Sequence, residues 1–192
     1  MTGKFDLNVV TICGSLRKGS YAAAVLRALP ELAPGGMGFT RFQSIGDVPH
    51  YDGDLETSSG VPHPIALLAN AMREADGVII VSPEYNYSVP GVLKNTIDWL
   101  SRVPNQPFAD KAVLIQSVSQ GPLGGVRMQY HLRQTLVGLS ARVFNRPEVM
   151  IGLARSKIDE TSGELTDGAT RDLVRAQLAE FAKFMKSGRV GP

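Results

Sequence analysis

Three short runs of apolar, largely β-branched residues constrain this chain more than anything else in it: 7–13 (LNVVTIC), 77–82 (GVIIVS) and 111–117 (KAVLIQS). Each is nearly continuous in apolar character instead of alternating, which is the pattern of a strand buried on both faces of a parallel sheet. Helical patterns lie between and after them: 20–29, rich in Ala and Leu and read as stopped by Pro30, then 64–75, 89–102, 126–139 and 170–185. A weaker strand is expected at 37–42 and a last short one at 141–144. Residues 44–64, rich in Gly, Pro, Asp and His, read as one long loop, a length that usually marks function or an interface. Irregular chain with an acidic turn precedes the final helix.

Strands alternating with helices predict an α/β protein: a doubly wound, five-stranded parallel sheet of order 2-1-3-4-5 with helices on both faces. That order places a ligand beyond the carboxyl ends of the strands, beside the first strand. The unusual segments of the sequence all lie at those ends.

At 192 residues, 1–192 is expected to form one domain, burying roughly two-thirds of its unfolded surface without disulfides or metal. A composition 43% hydrophobic and 20% charged is that of a globular chain. Cys13 is the only cysteine, so neither an intramolecular disulfide nor a zinc site can form, and a cytoplasmic setting is expected. At the end of an apolar strand it reads as a packed, inert thiol. Met1 to Asp6 lack the features of a signal peptide, and no apolar run is long enough for membrane insertion. A net charge of +2 on scattered residues argues against nucleic acid as a partner, and His50, His63 and His131 show no metal-ligand spacing.

The first strand leads into Gly14-Ser15-Leu16-Arg17-Lys18-Gly19-Ser20. Free N–H groups and the dipole at a helix start suit an anion. Ser15 and Ser20 add hydroxyls, and Arg17 adds a forked cation for two phosphate oxygens. Gly14 and Gly19 have P-loop spacing, but Ser20 stands where the lysine belongs, and Leu16 occupies the second glycine of a dinucleotide fingerprint. A phosphate monoester held without metal remains, beside the plain alternative of an ordinary strand-to-helix turn capped by Ser20.

The strand at 77–82 ends in Pro83-Glu84-Tyr85-Asn86-Tyr87-Ser88-Val89-Pro90-Gly91. Prolines stiffen this backbone so that its N–H groups can meet the polar edge of a flat heterocycle, with aromatic side chains covering the ring. The alternative is a surface turn with half-buried tyrosines. A third segment, 117–125, is glycine-rich and is expected at the ring's pyrimidine edge, with Ser117 as the contributing side chain.

With these segments in view, the chain resembles the NAD(P)H-dependent FMN reductases, whose bacterial members include quinone and chromate reductases. The resemblance rests on GSLRKGS at 14–20, PEYNYSVPG at 83–91, Lys94-Asn95 with Asp98-Trp99, and GGVRMQYHLR at 124–133, and it covers nearly the whole chain. It implies a flavodoxin-like fold holding FMN non-covalently, phosphate at Ser15, Arg17 and Ser20, and ring at Pro83, Glu84, Tyr85 and Asn86. It implies dimers that commonly pair into tetramers, with Arg127, Tyr130 and Glu148 as a polar subunit contact. Where many members carry Asn, this chain has Ala22, which removes one phosphate donor.

The activity so implied is hydride transfer from NADPH or NADH to FMN, then from FMN to quinones, chromate or similar small oxidants in a ping-pong cycle. Such transfer needs stacking and an approach of roughly 3–3.5 Å, not a protein acid, base or nucleophile. Asn86, Tyr87 and Arg102 are the candidate contacts for the second substrate. A flavodoxin-like electron carrier without NAD(P)H activity is the alternative, although such carriers tend to be strongly acidic and this chain is slightly basic.

Overall fold

The computed structural model describes residues 5–188, so the reading of Met1 to Asp6 falls outside the described residues except at Phe5 and Asp6. Four parallel strands form most of the sheet: β1 (Leu7–Cys13), β2 (Met37–Arg41), β3 (Gly77–Ser82) and β4 (Ala112–Val118), side by side as β2-β1-β3-β4. Cys13 pairs with Val81, and Ser82 with Ser117, so the three central strands end level and their following loops start along one edge.

The apolar runs are explained by two-sided burial. Val9, Ile79, Val81 and Leu114 pack under α1 (Tyr21–Leu32) and α6 (Gly168–Ser187). Their sequence neighbours Val10, Ile12, Val78, Ile80, Val113 and Ile115 pack under α3 (His63–Glu74), α4 (Gly91–Leu100) and α5 (Val126–Val137) on the opposite face. Each such side chain removed from water stabilises the fold by about 1.5–3 kcal/mol. Among the described residues no helix is long and apolar enough to cross a membrane.

The fifth position is split. β5 (Arg142–Val143) pairs with the start of β4, and β6 (Val149–Ile151), which was not expected, pairs with its end. Carbonyls within the break are met by side chains, Arg133 donating to Phe144 O (3.0 Å) and Gln177 to Pro147 O (2.7 Å), while Gln129 donates to Val149 O (2.7 Å) at the start of β6.

Two expectations need correction. Pro30 does not stop α1, which runs on to Leu32. It sits exposed in the last turn, and the Ala33 N–H still closes the helix on Leu29 O. Nor is 44–64 wholly a loop, because α2 (Gly53–Ser59) forms within it, capped by Asp52. The Asn95 and Trp99 of the sequence motif fasten this segment to α4. Asn95 accepts from Tyr51 N–H (2.8 Å) and donates to Pro49 O (2.9 Å), to which the Trp99 indole also donates (2.9 Å).

Candidate functional site

Gly14 opens the loop after β1 and lies against β3. A Cβ there would sit 2.2 Å from Ser82 Oγ, so only glycine lets the two strand ends stay together. The loop then turns into α1. Ser20 is its N-cap, its Oγ accepting from Ala23 N–H (3.1 Å), and Ser15 Oγ accepts from Arg17 N–H (3.3 Å). Both serines are mostly buried, at 8% and 7% exposure. The Ser20 hydroxyl keeps its proton free to donate, so cap and ligand roles coexist. The N–H groups of Tyr21 and Ala22, in the first turn, have no partner within the helix.

After β3, Tyr85 and Ser88 close a tight turn, with Tyr85 N–H donating to Ser88 O (3.1 Å) and Ser88 N–H to Tyr85 O (3.0 Å). Asn86 and Tyr87 at its tip have φ of +48° and +68°, the mirror-image geometry of a two-residue hairpin turn. A tyrosine in left-handed backbone is uncommon, and its cost, of order 1–3 kcal/mol, persists only where the surroundings impose it. Ser15 Oγ and Tyr85 Oη lie 3.5 Å apart, joining the two loops.

Between the loops is a cleft of about 220 Å³ lined by Ser15, Arg17, Ser20, Tyr21, Ala22, Pro83, Glu84 and Tyr85, with Val118, Ser119 and Gln120 as its third wall. Six of the expected residues therefore meet. Asn86 is exposed at the turn tip, and Tyr87 stacks under Arg127, the guanidinium carbon 4.0 Å from the ring centroid. Ser117 is not brought to the cleft: it is fully buried, its Oγ accepting from Gln129 Nε2 (2.9 Å). Arg102 is not brought there either. It follows α4, is not among the residues lining the cleft, and stacks over Tyr51 at 5.1 Å. Ser119 and Gln120, within the 117–125 segment expected at the ring's pyrimidine edge but not singled out there, are the first residues beyond the strand and line the cleft instead.

Tyr21, at the cleft's phosphate-loop end, donates to Glu160 Oε1 (2.6 Å), and this bond raises its hydroxyl pKa. Glu160 belongs to the acidic turn, where Asp159 accepts from Thr161 and Ser162 N–H (2.9 and 2.7 Å) and is held below the usual aspartate value, the Ser162 backbone bond acting most strongly.

The sequence profile of the family described as NADPH-dependent FMN reductase matches residues 7–156, which include all three walls of the cleft. The chain belongs to this family. It is an oxidoreductase of flavodoxin-like fold that uses FMN and NAD(P)H. It is 52% identical over 184 residues to a quinone reductase of Escherichia coli, covering 96% of this chain and 98% of that one. It is 44% identical over 181 residues to an NAD(P)H-dependent FMN reductase of Pseudomonas aeruginosa, covering 94% and 96%. Among solved structures it is similar to the NAD(P)H:(acceptor) oxidoreductase FerB of Paracoccus denitrificans, with a TM-score of 0.84 at 29% identity over 95% of this chain and 98% of that one.

The donor set suits the cofactor of this family. Two hydroxyls, a guanidinium and two free helix N–H groups converge at one end, α1 has no acidic residue in its first turn, and a stiff proline-flanked turn faces them. A phosphate monoester joined to a flat ring needs such a division of polarity. Ala22, in the first turn of α1, also lines the cleft.

Proposed function

We propose that this member of the FMN reductase family carries electrons from NADPH or NADH to quinones, chromate or similar small oxidants, acting as one domain within a homo-oligomer in the cytoplasm. The observation that carries the reading is the convergence of the phosphate loop, the ring turn and residues 118–120 on a single cleft. Bound FMN supplies the chemistry there, accepting hydride and passing electrons on. The chain's own residues bind and orient. Ser15, Arg17, Ser20 and the Tyr21 and Ala22 N–H groups would hold the phosphate, while the backbone of Pro83, Glu84 and Tyr85 would set the ring edge, aided by Ser119 or Gln120 in place of Ser117.

Tyr85 and Tyr87 are exposed at 47% and 66%, beside the cleft and at the turn tip, where a flat aromatic oxidant could stack. Assembly into dimers, and dimers of dimers, would cover the exposed Tyr130 and Val137 of α5. In this chain Glu148 pairs with Arg133 at 3.3 Å and Arg127 with Glu84 at 3.6 Å.

Steady-state oxidation of NADPH and NADH by FMN-loaded protein, with a benzoquinone, chromate and free FMN as acceptors, tests the reading. Parallel double-reciprocal lines with a quinone or chromate are expected. FMN-loaded protein that oxidises neither nicotinamide in their presence would instead be an electron carrier.

A further inference from the structure

The helix that flanks the ring turn starts without a cap of its own. α5 begins after Gly125, which has φ +87° and no side chain, and its first turn contains no acidic residue. A Cβ at position 125 would lie 2.9 Å from the Ser117 Cβ, so the residue that could cap this helix from within the chain's own sequence position does not fit. A helix start leaves N–H groups unpaired and carries partial positive charge.

Glu84 fills both needs from outside. Its Oε2 accepts from Met128 N–H at 3.1 Å, the third N–H of the helix and one that an N-cap side chain normally serves. Its Oε1 lies 3.6 Å from Arg127 Nη1, and the side chain is only 13% exposed. Two further braces run the same way: Arg127 lies over the Tyr87 ring, and Ser88 Oγ is 3.0 Å from His131 Nδ1. Residues 84, 87 and 88 thus all end on the first two turns of α5. Asn86 and Tyr87, the two left-handed residues, lie between Glu84 and Ser88 and so within these braces.

We propose that the Glu84 carboxylate is a positioning group, not a cofactor ligand: it caps α5 and so fixes the ring turn against that helix, which sets how the turn's backbone meets the flavin edge. The proposal rests on the reading of the cleft as the FMN site. It assigns Glu84 a role that acts through Met128 and Arg127, and it makes FMN affinity depend on a helix that does not line the cleft.

Glu84→Gln keeps an oxygen able to accept from Met128 N–H while removing the charge, and Glu84→Ala removes both. The test measures the FMN dissociation constant by fluorescence quenching, the visible band shape of bound FMN, and exchange of the Met128 amide hydrogen in cofactor-free protein. For Glu84→Ala, FMN binding weakens about tenfold, equivalent to about 1.4 kcal/mol and within the cost of losing a helix cap. Its band shape changes and Met128 protection is lost. Glu84→Gln stays within about threefold of wild type, with band shape and protection retained.

Glu84→Ala that binds FMN like wild type with an unchanged band overturns the proposal. So does Glu84→Gln that binds as weakly as Glu84→Ala, because the charge itself would then hold the cofactor. If Glu84→Ala does not fold, Glu84→Gln decides alone, a tenfold loss counting against. Wild-type protein that takes up no FMN refutes the site reading instead, while Met128 exchange still reports on the clamp.

Discussion

Arg17 shows how much one side chain can decide. Among the described residues it is the one cation on the wall of the cleft, and it stands beside two hydroxyls and the first turn of α1. Hydrogen bonds to a charged partner contribute about 1.5–3 kcal/mol each, so Arg17→Ala should weaken FMN binding about 10- to 100-fold, as read by fluorescence titration. An unchanged dissociation constant would remove the guanidinium from the phosphate site. Arg17, Ser15 and Ser20 were legible in the sequence because a strand-to-helix loop confines its residues to one place. Ser117 was misleading for a physical reason: every residue of β4 is buried, so polarity gives no clue to which face a side chain takes. Asn86 and Tyr87 could be named as loop residues, but neither their left-handed backbone nor the stacking of Tyr87 under Arg127 of α5 follows from a local pattern.

At the scale of elements, caps and latches join what the sheet leaves apart. Asp167 caps α6 by accepting from Thr170 Oγ1 (2.5 Å) and Thr170 N–H (2.8 Å), and these bonds, the side-chain one foremost, hold its carboxyl below the usual aspartate value of 3.8. A depressed carboxyl pKa stabilises the fold above the unfolded value and loses that contribution as pH falls through the folded one. The thermal midpoint of the wild-type protein should therefore fall between pH 5 and pH 3 more than that of Asp167→Asn, whose capping side chain does not titrate. Equal falls in the two proteins would show that this cap does not titrate with folding. The long strands and helices were readable because periodicity accumulates over many residues. β6, with three residues, and α2, with no buried residue, lack that signal. Asn95 and Trp99 stood out as a motif, yet their partners at Pro49 and Tyr51 are more than forty positions away and follow only from the fold.

For the whole molecule, level strand ends are the deciding feature. Because β1, β3 and β4 stop together, three loops distant in sequence become the walls of one cleft. The same apolar runs that first constrained the fold build the sheet whose level ends form the site. The proposed function requires that this cleft hold FMN and admit a reduced nicotinamide. Anaerobic titration of FMN-loaded protein with NADPH and with NADH, followed at the oxidised flavin's visible band, tests it most directly. Stable FMN uptake and full bleaching of that band by one equivalent of at least one of the two nicotinamides is the result predicted. Protein that retains no FMN, or a band that persists in excess of both nicotinamides, would contradict it.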